Sequence, residues 1–170
     1  MASKSSVAKL GVVAGGRRGD ATPKAKVGTA AQVQPVLVAR AEADVTAKDY
    51  FVERNGLRFA GTHLIVELWD AKNLDNLEIA DRAMREAAAA AGATVLHIHL
   101  HHFQPNGGLT GVAVLAESHI SIHTWPERRY AALDIFMCGA CDPYKSIPVI
   151  RQAFEPGAVQ LVEQRRGVMA

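Results

Sequence analysis

The chain has few cysteines and no long apolar run, and these absences narrow the class of protein. Only Cys138 and Cys141 occur among its 170 residues, too few for the disulfide framework of a small secreted domain. No apolar run approaches the roughly 20 residues that a membrane-spanning helix needs, and Val12–Ala14 is too short for the apolar core of a secretory signal. We therefore expect a cytoplasmic protein with reduced thiols and no membrane association.

Charge is nearly balanced overall but unevenly distributed. Residues 1–48 carry eight Lys or Arg against three acidic residues, a net of +5, so the rest must carry −3 to give the chain's total of +2. Since the excess lies in a segment without helical or alternating periodicity, residues 1–48 are predicted to be a disordered basic leader, with an organelle transit peptide as the other reading. Nucleic-acid binding by the folded part, residues 49–170, is not expected.

The pattern of the remaining residues predicts one α+β domain. Residues 76–91 read as a helix, with Asp75 as N-cap, Glu78 three residues later and Gly92 at the end. A second helix is predicted from Asp142-Pro143 to Phe154. Strands are predicted at 58–69, 93–103, 110–116, 119–124, 129–137 and 157–164. This order predicts a two-layer sandwich, a mainly antiparallel sheet with helices on one face, whose other face needs a cover and so favours a dimer.

Three residues in the strand-rich region 115–139 carry the parts of covalent chemistry. Ser118 follows a predicted strand, so its hydroxyl could attack the preceding carbonyl of Glu117 if the turn is strained; a plain polar turn residue is the alternative. His123 shares a strand face with His119 and Ser121 and could transfer protons. Cys138 ends the next strand, where it could protonate a carbanion or pack as a small apolar side chain.

Two further patterns allow metal or redox interpretations. In the predicted strand 93–103, three imidazoles lie on one face, those of His97, His99 and His101. Leu96, Ile98 and Leu100 lie on the opposite face. Without a further identified ligand, a polar strand face is favoured over a metal site, and no metal is predicted. Cys138-Gly139-Ala140-Cys141 is a C-x-x-C, but it has neither a second pair nor a thioredoxin-like context. No role is assigned to Cys141.

The sequence of these motifs resembles that of the self-processing prokaryotic S-adenosylmethionine decarboxylases. The resemblance rests on Glu117-Ser118-His119-Ile120-Ser121-Ile122-His123-Thr124-Trp125-Pro126-Glu127 and on Asp134-Ile135-Phe136-Met137-Cys138-Gly139. Further matches are Gly61–Ile65, Ala91–Leu96, Phe103-x-Pro105 and Thr110–Val112, and together they span about 110 residues, to near Arg166-Gly167. Several motifs in one order are more specific than any one of them.

The resemblance implies a cleavage between Glu117 and Ser118. It would give a β chain of 1–117 and an α chain of 118–170 that begins with a pyruvoyl group derived from Ser118. That group would form a Schiff base with the substrate amine and act as the electron sink for decarboxylation. His123 matches the histidine of processing and Cys138 the catalytic proton donor.

The resemblance also implies a substrate and an assembly. The substrate would be S-adenosylmethionine and the product the aminopropyl donor for spermidine. Phe103, Thr110 and Glu127 match substrate-binding residues, although the loop after Phe103 is one residue longer than usual. The assembly would be a four-layer α/β/β/α homodimer. Alternatives are pyruvoyl-dependent decarboxylation of a free amino acid such as arginine or ornithine, and a non-catalytic subunit, which would be expected to lack Ser118 or Cys138.

Overall fold

A six-stranded antiparallel sheet forms the body of the protein. The computed structural model describes residues 50–169, so the predicted leader of residues 1–48 lies outside the described residues. In chain order the elements are β1 (Val52–Arg54), β2 (Leu57–Phe59), β3 (Gly61–Trp69), α1 (Leu77–Ala90), β4 (Val95–His102), β5 (Leu109–Leu115), β6 (Ser118–Trp125), β7 (Tyr130–Cys138), α2 (Ser146–Phe154) and β8 (Ala158–Arg166). The strand order in the sheet is β4-β5-β6-β7-β3-β8.

The two helices pack on one face of this sheet and bury a single core. Helix α1 contributes Ala80, Ala83, Met84, Ala87 and Ala88, and the small alanine side chains allow the helix to lie close to the strands. Ile150 and Phe154 of α2 join the same core, and the hydroxyl of Ser146 at its start donates to the carbonyl of Ala87, 2.9 Å away. The predicted α+β sandwich with helices on one face is confirmed.

The structure corrects the predicted start of α1. Asn76, not Asp75, is the N-cap, and its Oδ1 accepts a hydrogen bond from the backbone N–H of Ile79, 2.9 Å away. Asn and Asp cap helices about equally well, so composition could not decide between two adjacent candidates. The predicted second helix likewise divides into a short 3₁₀ turn at Pro143–Lys145, capped by Asp142, and the α-helix proper.

Two strand predictions also need correction. The predicted strand 58–69 is two strands, because β2 forms a hairpin with β1 and the chain enters the main sheet only at Gly61. In β4 the pairing register shifts between Val95 and His97. This bulge turns Leu96 outward, where 64% of it is exposed, so it does not share the buried face of Ile98 and Leu100.

The sheet face opposite the helices, called the open face below, mixes polar and apolar side chains. Alternation predicts this because Ile120 and Ile122 of β6 are fully buried on the helix side. The open face carries His97, His99 and His101 of β4, Thr110, Val112 and Val114 of β5, His119, Ser121 and His123 of β6, Asp134 and Phe136 of β7, His63 and Ile65 of β3, and Val162, Gln164 and Arg166 of β8. No second layer covers this face within residues 50–169.

Candidate active site

Ser118 occupies a strained backbone position at the start of β6. Strands β5 and β6 are joined by two residues, Ala116 and Glu117, and Leu115 pairs with Ser118 across the turn. The φ angle of Ser118 is +136°, a region that L-residues with a side chain rarely adopt and that costs on the order of 1–3 kcal/mol. The strain therefore falls on the residue predicted to attack its own preceding peptide bond.

Glu117, the residue before Ser118, is held by hydrogen bonds at both its backbone carbonyl and its side chain. The backbone N–H of Cys138 donates to the carbonyl oxygen of Glu117, 2.9 Å away. The Glu117 carboxylate accepts from the backbone N–H of Thr94 at 2.8 Å. An N–H aimed at a carbonyl oxygen stabilises the negative charge that develops there when a nucleophile adds to the carbon. The contact therefore suits attack by the Ser118 hydroxyl.

The two cysteines differ in their surroundings. Cys138 is half-buried at the end of β7. It lies one residue beyond Met137, which pairs with Ser118 of β6. Cys141 is buried, and its thiol donates to the carbonyl oxygen of Gly92 at 3.3 Å. Burial chiefly, with smaller electrostatic contributions from Glu117 and Cys138, raises the pKa of the Cys141 thiol. Cys141 is thus a packed, protonated thiol next to the candidate site.

This raised pKa predicts slow alkylation of Cys141. The thiolate is the reactive form, so a higher pKa leaves less of it at pH 8. In a Cys138→Ala variant, where Cys141 is the only cysteine, iodoacetamide should react at least about 10-fold slower with the native protein than with the urea-unfolded one. Equal rates in the two states would contradict the assignment of Cys141 as buried and protonated.

The predicted substrate-binding residues assemble at the other end of the strands. Thr110 pairs with His123 across β5 and β6, and its hydroxyl lies 2.9 Å from the Nδ1 of that histidine. Phe103, His123 and Glu127 line one cavity of about 180 Å³. Its wall also includes Trp125, which the sequence analysis did not propose as a site residue. Its position in the H-T-W-P-E motif was the signal that could have identified it. A larger groove of about 260 Å³ lies between the two helices and contains none of the predicted site residues.

The structure therefore separates the predicted catalytic residues into two groups. Ser118 and Cys138 lie at one end of β6 and β7, and His123 lies five residues further along β6. At about 3.3 Å per residue, roughly 16 Å separates His123 from Ser118 along the strand. This is beyond the reach of direct proton transfer, so within one chain His123 does not serve Ser118.

Polar side chains on the open face occupy the space between the two groups. Nε2 of His63 lies 3.0 Å from one oxygen of Asp134, and the hydroxyl of Ser121 donates to the other at 3.2 Å. The guanidinium of Arg166 lies over the ring of Phe136, 5.3 Å from its centroid. Arg166 lies near the Cys138 end of the sheet, and sequence reasoning missed it because only the strand register reveals its position.

The histidines of β4 do not form a recognisable metal centre. His97, His99 and His101 are all exposed on the open face, and the ring of His101 packs edge-on against Phe103, with 4.7 Å between centroids. Within residues 50–169 no three His, Cys, Asp or Glu side chains are grouped so as to hold a metal ion. Over the same residues, no helix is both long and apolar enough to span a membrane.

The sequence matches known proteins over the described domain. Residues 62–167 match the family model described as S-adenosylmethionine decarboxylase. The S-adenosylmethionine decarboxylase proenzyme of Thermomicrobium roseum is 42% identical over 114 residues, covering 66% of this chain and 98% of that protein. The proenzyme of Methanococcus aeolicus is 47% identical over 116 residues, with the same coverage.

A solved structure agrees with these matches. The crystal structure of the adenosylmethionine decarboxylase of Aquifex aeolicus is 33% identical to the chain, covers 66% of it and 94% of its own length, and superposes with a TM-score of 0.59. The fold, the family model and the relatives named as proenzymes agree, and the chain belongs to the S-adenosylmethionine decarboxylase family.

Proposed function

We propose that the chain is a proenzyme that cleaves itself between Glu117 and Ser118 and then decarboxylates S-adenosylmethionine. The observation that carries this proposal is the backbone at the junction. Ser118 has a strained φ of +136°, and the backbone N–H of Cys138 donates to the carbonyl of Glu117. Both features lie at the Glu117–Ser118 peptide bond, where the sequence motif predicts cleavage. Both favour acyl transfer from nitrogen to oxygen, since the strain is released when the peptide bond breaks.

The cleavage steps balance without an outside reagent except water. The Ser118 oxygen adds to the Glu117 carbonyl carbon, and the amide nitrogen leaves as an amine, so an ester replaces the amide. Loss of the Cα proton expels the Glu117 carboxylate and leaves dehydroalanine at residue 118. Hydrolysis of its imine tautomer releases ammonia and leaves a pyruvoyl group. The β chain would be 1–117 and the α chain 118–170.

Proton transfers in these steps fit the imidazole of His123. Its Nδ1 is occupied by the hydroxyl of Thr110 at 2.9 Å, so Nε2 is the nitrogen available for exchange of a proton. A general base must come within hydrogen-bond reach of the proton that it moves. Since His123 is too far from Ser118 of its own chain, the Ser118 that it serves must belong to a second copy.

A second copy stacked on the open face would bring the two groups together. A two-fold axis lying between the sheets and across the strands places the Ser118 end of one copy opposite the His123 end of the other. The open face also exposes apolar side chains that such a layer would bury: Ile65, Val114 and Val162 are 39%, 40% and 61% exposed. We therefore propose a four-layer α/β/β/α dimer with two shared sites.

Chemistry at each shared site follows from the residues at the two ends. The pyruvoyl carbonyl would take up the substrate amine and accept the electron pair released with CO₂. The thiol of Cys138, one residue beyond the strand partner of Ser118, would return a proton to the substrate carbon. Because this reaction and the free thiols Cys138 and Cys141 suit a reducing compartment, we place the enzyme in the cytoplasm.

The cavity at the His123 end favours an adenosyl substrate. The ring of Phe103 is 48% exposed there, so it offers a face for a purine or for the sulfonium charge. Glu127 lines the same cavity and supplies a carboxylate toward the ribose or the cation. A free amino acid such as arginine or ornithine has no adenine or ribose, so it would contact Phe103 only through its side-chain cation.

The substrate assignment is tested by CO₂ release. With carboxyl-labelled S-adenosylmethionine, arginine and ornithine at equal concentration, we expect kcat/KM for S-adenosylmethionine to exceed the other two by at least about 100-fold, because arginine and ornithine lack both the adenine that stacks on Phe103 and the ribose hydroxyls that hydrogen-bond to Glu127. Release from arginine or ornithine alone would replace the proposed substrate while leaving the pyruvoyl chemistry in place.

A further inference from the structure

We propose that Arg166 binds the α-carboxylate of the amino-acid substrate. The inference rests on the proposed function, because it needs a substrate amine held at residue 118. It adds a specificity-determining residue to the Ser118 end of the site, where the open face otherwise offers Cys138, Gly61 and Phe136. The ligand chemistry is an α-amino acid that still carries its carboxylate.

The strand register places Arg166 in line with Cys138. Gly61 of β3 pairs with Cys138 on one side and with Arg166 on the other. Two strand spacings separate the Cα atoms of Arg166 and Cys138, about 10 Å. The guanidinium extends over this gap toward the ring of Phe136, which lies two residues before Cys138 on the same face. Arg166 therefore carries a positive charge toward the thiol and the candidate cleavage junction.

Gly61 keeps the path between these residues open. A Cβ at this position would lie 2.5 Å from the carbonyl oxygen of Met137 and 2.9 Å from Cε2 of Phe136, so no side chain fits there without a backbone shift. The arginine side chain can cross the strand at this point because nothing projects from it. The ring of Phe136 then forms a floor under the guanidinium.

Within residues 50–169 no carboxylate forms a salt bridge with Arg166, whereas Arg165 pairs with Glu163 at 3.1 Å. The nearest carboxylate along the open face of β7, Asp134, already accepts from Ser121 and contacts His63. A guanidinium lying over a ring keeps its in-plane N–H groups free, and this fork matches a carboxylate in a bidentate way.

A carboxylate is the substrate group that distinguishes reactant from product. The reactant carries it until CO₂ leaves, and the product has lost it while keeping the amine and the adenosyl group. Arg166 should therefore contribute to binding of the reactant and not to binding of the product. A residue that only supported the fold would affect both equally.

The test compares substrate and product on an Arg166→Gln variant. We expect KM for S-adenosylmethionine to rise about 10- to 100-fold, as loss of a charge-assisted bidentate contact implies. The inhibition constant of decarboxylated S-adenosylmethionine should change less than about 2-fold, since its contacts remain. An Arg166→Lys variant, which keeps the charge but not the fork, should show a smaller rise in KM with the same unchanged product affinity.

Controls separate this inference from the proposed function. Arg165→Gln alters the neighbouring arginine, which lies over Phe59 on the other side of the strand, and should leave both constants unchanged. Self-cleavage and activity of the unaltered chain test the proposed function by themselves. With those established, an equal change for reactant and product in both Arg166 variants, or no change for the reactant, overturns the role of Arg166.

Discussion

A Ser118→Ala chain should remain a single uncut species of 170 residues and should release no CO₂ from S-adenosylmethionine. Without the hydroxyl oxygen there is no nucleophile for the Glu117 carbonyl and no leaving group for the elimination, so the carbonyl needed for catalysis is not made. The expected loss is more than about 1,000-fold in both cleavage and decarboxylation, the scale of removing a nucleophile. Intact mass under denaturing conditions and a CO₂-release assay measure the two effects.

Ser121→Ala is the matched control for this variant. Ser121 lies on the same strand, and its replacement by alanine removes one hydrogen bond, to Asp134. Its hydroxyl is not next to the peptide bond that is cleaved. We expect Ser121→Ala to cut itself at Glu117–Ser118 as the unaltered chain does. Cleavage of Ser118→Ala at the same bond would show that another group is the nucleophile.

Two inactive variants should restore activity to each other when they are mixed as refolded or co-expressed chains. A pair made of one Ser118→Ala chain and one His123→Ala chain contains one site with both Ser118 and His123 intact, if the site is shared between copies. Random pairing makes half of the dimers mixed with one complete site in each, so about a quarter of the unaltered activity should return. Each variant alone should retain less than about 1% of the processing rate, since a general base contributes 100-fold or more.

Intact mass shows which chain is rescued, and this makes the test specific. In the mixture the His123→Ala chain should be cut and the Ser118→Ala chain should not. Mixing Ser118→Ala with Cys138→Ala is the control for CO₂ release: the Cys138→Ala chain should cut itself, but both changes fall at the same end of the sheet, so no site complete for decarboxylation results. Absence of rescue in the first mixture, with mixed dimers shown to be present, would place His123 and Ser118 in one chain's site and contradict the roughly 16 Å separation.

The sequence predicted the fold well where periodicity carries the information. The alternation in β6 assigned Ile120 and Ile122 to the core, and both are fully buried. It failed where two local solutions have similar energy, as with Asp75 and Asn76 at the start of α1. It also failed at Leu96, because a bulge changes the face of a residue without changing the composition of its strand.

The candidate site shows the same division. The motif around Ser118 indicated the junction, and the turn and strain found there agree with it. Periodicity could not predict that the backbone N–H of Cys138 donates to the carbonyl of Glu117. It also could not predict that Cys138 and Arg166 pair with Gly61 from its two sides. Both facts depend on the pairing register of strands distant in sequence. Nearness of Ser118 and His123 in the sequence suggested nearness in space, but an extended strand separates them by its own length.

The most direct test of self-cleavage and pyruvoyl formation is the intact mass of the unaltered chain under denaturing conditions. It is measured before and after reduction with cyanoborohydride in the presence of S-adenosylmethionine. Self-cleavage with formation of a pyruvoyl end should give two fragments, residues 1–117 and 118–170. The second should lack a free amine at its first residue and gain substrate-derived mass on reduction. A chain that stays whole at 170 residues, or a fragment 118–170 that begins with an ordinary serine, would contradict it.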